Sequence, residues 1–445
     1  MQGNVASTPH LQWLGSAIAV ASVAAILVAT LLPDSGHPVT SHLCLVCGTL
    51  GGVDSVLNVL LFLPLGIGLA LSGIPWNRAV LTACALSLTV ETTQFLFVPG
   101  RDATLGDVLT NTVGGALGFV IARNAGIWLR PTPRTAAILA LAWSTMWLTI
   151  QGISSFAFAP SIPVSRYYGQ IAPKLGDFAL FPGRVLEARI DDVAITDTQL
   201  NEIDSVGPRL LGGATIAATV IPNGSTSDIA PIVRVAGDEQ EEIVLLAQDE
   251  QSLLFGVRTR AAILRLRPPL FAMAGVFTDS VSKKDSSGVS ERNYSATHPL
   301  SLTGTYDGRV ARLTVRTDSA SGERRVPVSS SLGWTLTLPF QWSLEDTRTE
   351  FVVSWIWMAC LIAPIGYWGA HFARHSDLHA SAPLFVLCLF CIAAILIAGL
   401  VPVQHAYGLP TAPMRDWFAS MFGIVAGGAF VLPKGFRASW AVVTS

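Results

Sequence analysis

The chain has 445 residues, of which 51% are hydrophobic and only 13% charged, and its mean hydropathy is +0.52. That balance is too apolar for an ordinary soluble protein. A formal net charge of −2 argues against a nucleic-acid binder, which needs clustered cations to displace counterions from phosphates. The charges are also unevenly spread: 19 of the 28 Lys and Arg and 22 of the 30 Asp and Glu fall between 152 and 349. The remainder is nearly uncharged, as a lipid-facing chain must be.

Eight stretches are long enough to cross about 30 Å of hydrocarbon at about 1.5 Å per helical residue. They lie near 12–33, 54–73, 77–97, 105–125, 134–151, 351–370, 382–402 and 414–432. The first lacks a basic flank and is followed by further spans, which argues against a cleaved signal. The fourth is diluted by Asp107, Thr110, Asn111 and Thr112. Basic residues set the expected orientation. Arg78, the Arg123–Arg134 loop, Arg374, and Lys434 with Arg437 all fit alternate loops on the cytoplasmic side, with both termini inside. Only Arg101 and Arg415, of nine basic residues outside 152–349, break this pattern. The expected product is a polytopic α-helical protein of the cell membrane. Residues 1–151 form a five-span unit, 152–349 an extracytoplasmic domain, and 350–445 three further spans.

Between 152 and 349 the pattern becomes short alternating runs broken by Gly, Pro, Asn-Gly and Asp-Gly. Expected strands include Ala214–Val220, Glu242–Ala247, Leu253–Arg258, Ala262–Leu266, Arg309–Val315 and Thr335–Leu338, which together read as an antiparallel β-sandwich. The clearest hairpin is Leu302–Val315, turning at Asp307-Gly308. This stretch resembles the laminin-G-like, concanavalin-type jelly roll, a resemblance that implies glycan binding, in some members with calcium. The acidic run Asp238–Glu242 lacks the dense carboxylate loop calcium prefers and reads more simply as solvated surface.

Polar groups that persist in apolar sequence are functional candidates. Span two carries Asp54 and Asn58, and span three carries Glu91 and Gln94 on one helical face. Arg101 lies in the turn that follows. Asp107, Asn111, Gly114 and Gly118 form a single stripe on span four, where small residues admit a close helix neighbour. The series Asn58, Phe62, Pro64 and Gly66, then Glu91-Thr-Thr-Gln94, then Arg101, Asp107, Asn111, Gly114 and Gly118 resembles the VanZ-like family over about residues 20–150. Thr104 departs from it, standing where relatives commonly have an acidic residue. The resemblance implies a bacterial cell-envelope setting and, by the founding member, lowered susceptibility to the glycopeptide teicoplanin. A partial copy of the stripe lies at Asp416, Ser420, Gly423 and Gly427, set against plain small-residue packing.

Two readings of the cluster stay open. In an enzyme acting from outside on a lipid-linked or glycan substrate, Glu91 and Asp107 are the catalytic candidates, Glu91 serving as general acid or base. Arg101, whose planar fork suits phosphate or carboxylate, would then bind substrate with Gln94, Asn111 and Asn58. In a non-catalytic glycan-binding or assembly scaffold the same residues form a buried network that fixes the helices. Transport is the weaker third option. Membrane lipid and an envelope glycan or lipid-linked sugar are the expected partners; no metal site is assigned and no cofactor is identified. Cys44 and Cys47 suit a short outer disulfide or two free thiols; His371, His375 and His379 read as a cytoplasmic loop. A cysteine introduced into the 98–104 turn should react with a membrane-impermeant thiol reagent added outside the cell. Labelling from the cytosolic side alone overturns the orientation.

Overall fold

The computed structural model describes residues 9–32, 45, 48–98, 103–176, 178–200, 203–277, 298–375 and 378–431. Cys44, Cys47, Arg101, Lys434 and Arg437 lie outside the described residues. Five helices come first: α1 (Pro9–Leu31), α2 (Gly51–Leu71), α3 (Trp76–Phe97), α4 (Leu105–Arg123) and the short α5 (Ala125–Leu129). The sixth, α6 (Pro133–Phe158), runs past its expected end at 151. A β-rich region with one helix, α7 (Ile203–Leu211), follows. The chain then returns to helices α8 (Thr347–His375), α9 (Leu378–Leu400), α10 (Pro402–Ala406) and α11 (Met414–Ala429). Among the described residues six helices are long and apolar enough to cross a membrane: α1, α2, α3, α4, α6 and Thr347–Ala373 of α8. The protein is a multi-pass membrane protein. The remaining two expected spans fall on α9 and α11.

The chain divides into two compact units, residues 1–144, 363–390 and 424–445 in one and 145–362 and 391–423 in the other. In the first, Ile26, Phe62, Leu65, Ala83 and Val90 from α1, α2 and α3 form a buried apolar cluster. Helices α2 and α4 approach almost backbone to backbone. A β-carbon added at Gly114 would lie 2.4 Å from the Val59 carbonyl oxygen, and one at Gly118 would lie 2.0 Å from that of Leu63. From the other side, one at Gly66 would lie 1.9 Å from the Gly115 carbonyl. No side chain larger than hydrogen fits at these crossings, the use of small residues expected where lipid gives no hydrophobic drive between helices.

The second unit contains two six-stranded sheets. One runs β1 (Tyr168–Ile171), β5 (Ala230–Ala236), β6 (Glu242–Asp249), β7 (Ser252–Val257), β8 (Leu270–Met273) and β12 (Ser343–Leu344). The other runs β11 (Ser321–Pro327), β10 (Val310–Arg316), β9 (Leu300–Tyr306), β4 (Ile216–Ile221), β2 (Arg184–Ile190) and β3 (Val193–Ala194). Every pairing is antiparallel except β12 with β8. The sheets meet face to face. Gly304 of β9 leaves room for the Phe255 ring of β7, and Phe271 lies 5.2 Å from Tyr306 between ring centroids. Asp307-Gly308 makes the expected turn: Tyr306 pairs Ala311, Gly308 has φ +83°, and the Asp307 carboxylate accepts from the amides of Arg309 and Val310.

Two expected strands are not strands. Ala262–Leu266 begins in a 3-10 turn (Arg260–Ala262) capped by Thr259 and passes through Arg265 at φ +52°, which breaks any extended run. Thr335–Leu338 continues a 3-10 segment, Ser330–Thr337. There Gly333 abuts Ser154, whose hydroxyl a β-carbon would meet at 2.2 Å. Tertiary packing overrides the local alternation at both sites. Replacing Gly118 with Leu should prevent α2 and α4 from closing. The expected result is loss of a monodisperse peak in size-exclusion chromatography of the detergent-solubilised protein, whereas Gly126→Leu, at an open position, should leave it unchanged.

Candidate functional site

The first turn of α4 organises the polar cluster. Thr104 precedes the helix in extended conformation, and its hydroxyl accepts from the Asp107 amide at 3.1 Å, a Thr-x-x-Asp cap that satisfies one free helix-end donor. The same hydroxyl donates to Asp107 Oδ2 at 2.8 Å. Asn58 of α2 donates from Nδ2 to Asp107 Oδ1 at 2.6 Å, so both carboxylate oxygens of Asp107 have donors from the chain. The Thr104 amide donates to Glu91 Oε2 of α3 at 3.0 Å. Four residues thus join three helices through one threonine.

The rest of the cluster is likewise held from within. Gln94 Nε2 donates to the Thr30 carbonyl of α1 at 2.9 Å, and Asn111 Nδ2 to Ser87 Oγ of α3 at 2.9 Å. Glu91, Gln94, Thr104 and Asn111 are all buried, Glu91 at 7% exposure and Asn111 at 2%; Asn58 and Asp107 are intermediate. Asn111 Oδ1 has no hydrogen-bond partner among the described residues. Of the sequence-derived candidates, Asn58, Glu91, Gln94, Asp107 and Asn111 all lie on the inner faces of α2, α3 and α4. Arg101 falls outside the described residues.

An open groove of about 280 Å³ lies elsewhere on α3, lined by Leu88, Thr89, Thr92, Thr93 and Phe97. These residues are on the helix face away from Glu91 and Gln94. Their threonines donate back to the helix carbonyls of Ala85, Leu88 and Thr89, as lipid-exposed hydroxyls do when no other acceptor is present. The groove is therefore a satisfied outer surface rather than the mouth of the cluster.

Thr104 is the residue whose importance sequence reasoning inverted: its departure from the family pattern reads as a lost carboxylate, yet it is the hub. The Thr-x-x-Asp cap was the available signal. Residues 10–129 match the VanZ/LLP1 family model. No curated protein and no solved structure matches the chain. A double-mutant cycle on Asn58→Leu and Asp107→Asn should give a coupling of about 1 kcal/mol in reversible unfolding. Additive effects would show that the contact holds nothing together.

Proposed function

Taking residues 10–129 as a VanZ-like membrane domain, we propose that the protein is a bacterial cell-envelope scaffold. Its polar helix cluster locks the membrane domain, and its β domain, on the extracytoplasmic side, binds an envelope polymer. This is preferred over the enzymatic reading for one reason. Asp107 and Glu91, the two groups that would do chemistry, are already engaged by Asn58 and Thr104. Their partners are backbone and side chains of neighbouring helices, which is how a buried network fixes an arrangement.

The β domain supplies the recognition surface. On the alternating solvent side of the β11-β10-β9-β4 sheet, Arg325, Arg312 and Thr305 stand in one row. Glu323, Thr314, Thr303 and Ala217 form the next row, and Ser321, Arg316, Ser301 and Thr219 a third. Arg312 directly opposite Arg325 is unfavourable for the sheet itself, and the nearby Glu323 carboxylate is held below its usual range by Arg325, with Arg312 and Arg316 adding to the effect. Hydroxyls flanked by guanidinium groups suit a hydroxyl-rich polymer bearing phosphate or carboxylate. The laminin-G-like resemblance points the same way, as does an outward orientation of this domain.

Full-length protein in detergent should retain a polyanionic cell-wall polymer and release neutral dextran. Changing Arg312 and Arg316 to Ala together should weaken retention about tenfold, more at low salt than at high. The same preparation tests the lock. Glu91→Gln keeps an oxygen able to accept from the Thr104 amide, so abundance and polymer binding should persist. A cellular phenotype abolished by Glu91→Gln, in protein of undiminished stability, would reinstate the catalytic reading.

A further inference from the structure

Helices α8 and α11 meet as α2 and α4 do. A β-carbon at Gly423 would lie 2.4 Å from the Ala359 carbonyl oxygen, one at Gly427 1.9 Å from that of Ala363, and one at Gly366 2.0 Å from that of Ile424. Shifting α2 by 300 positions and α4 by 309 converts Val59–Gly114, Leu63–Gly118 and Gly66–Gly115 into these same three pairs. The identical shifts carry Pro64 to Pro364, the buried Leu65 to the buried Ile365, Asp107 to Asp416 and Asn111 to Ser420. Three contacts in one register, made by residues from both helices, are more than a stripe of small residues on one. The helix order agrees: α1, α2, α3 and α4 are matched by α6, α8, α9 and α11, with the β domain occupying the first connection of the second set.

What changes between the sets is informative. The positions that supply both donors to Asp107, Asn58 and Thr104, become Met358 and Pro413, neither of which donates from its side chain. The acid is nonetheless kept and is 1% exposed. A buried carboxylate deprived of its donors is costly unless others replace them. Arg415 Nε lies 3.4 Å from Asp416 Oδ1 as an ion pair, the hydroxyls of Ser329 and Ser331 face the carboxyl from the β domain, and Oδ2 has no partner within hydrogen-bond distance among the described residues. These two hydroxyls are 2.7 Å apart. Ser330, between them, donates to Gln151 of α6 and accepts from Gln404 Nε2 of α10 at 3.0 Å.

We propose that α6, α8, α9 and α11 are a second copy of the VanZ-like unit in which the acid has changed partners. Asp416 holds the Ser329–Ser331 segment and so fastens the β domain to the helices, whereas Asp107 locks α4 to α2. This goes beyond the scaffold reading and does not depend on what the β domain binds.

The test uses the full-length protein in detergent. Ser329→Ala with Ser331→Ala should lower the melting midpoint by about 5 °C and open the chain to chymotrypsin at the buried Trp334. Adding Met358→Asn and Pro413→Thr, which recreates the first copy's donors around Asp416, should restore the midpoint while cleavage at Trp334 persists. An alanine pair that changes neither melting nor cleavage overturns the fastening role. Destabilisation that the added donors do not relieve overturns the equivalence of the two copies. If the alanine pair yields no folded protein, recovery of a folded peak in the four-substitution variant supports the proposal, and no recovery overturns it.

Discussion

A carboxylate at membrane depth must receive its hydrogen bonds from the protein, because lipid offers none. In the first unit Asp107 meets that requirement by drawing one donor from α2 and one from the residue that begins α4. The arrangement works only if α2 and α4 lie almost in backbone contact, which the glycines permit. Close approach and acid satisfaction are therefore one constraint. A bulkier residue at the crossing would move Asn58 away from Asp107, and a helix that began a residue later would move Thr104. Glu91 extends the constraint to α3 through the Thr104 amide, so that the position of three helices is written into a single capping turn.

The C-terminal helices show the same constraint solved with different residues. Loss of both original donors leaves an acid whose new neighbours are the preceding residue in its own helix, Arg415, and the serine-rich segment Ser329–Ser331, more than 80 residues earlier in the chain. The three serines are all nearly or completely inaccessible, an unusual burial for hydroxylated side chains that their polar surroundings explain. Arg415, one of two basic residues that violate the expected charge distribution, is placed by the same logic: it lies beside Asp416.

Much of this was legible in the residues. Helix positions followed from apolar length, because lipid imposes one simple requirement on every span. The stripe Asp107, Asn111, Gly114 and Gly118 marked a packed helix face, since its period and its small residues both report packing: Asp107, Gly114 and Gly118 meet α2, and Asn111 meets α3. The Asp307-Gly308 hairpin was equally plain, its chemistry being local. Other features depend on partners distant in sequence. The 3-10 segment Ser330–Thr337 carries alternating residues that suggest a strand, and only its packing against Ser154 decides otherwise. Strand β5 is buried along its whole length, and such a run has no alternation to detect. Thr104 was visible as a helix cap, but its hold on Glu91 belongs to the meeting of two helices.

The β domain is stitched to its flanking helices where the chain enters and again where it leaves. At the entry, the Phe158 carbonyl at the end of α6 accepts from the Tyr306 hydroxyl at 2.7 Å, and Pro160 bridges to Thr259. At the exit, Ser343–Leu344 pairs with Leu270–Phe271 shortly before α8 begins at Thr347. Ser330 adds bonds to Gln151 of α6 and Gln404 of α10, and Trp334 one to Ser354 of α8. Attachments to three helices are more than a single hinge line needs, so a load on the outer sheet is shared among α6, α8 and α10 instead of swinging the domain about one of them.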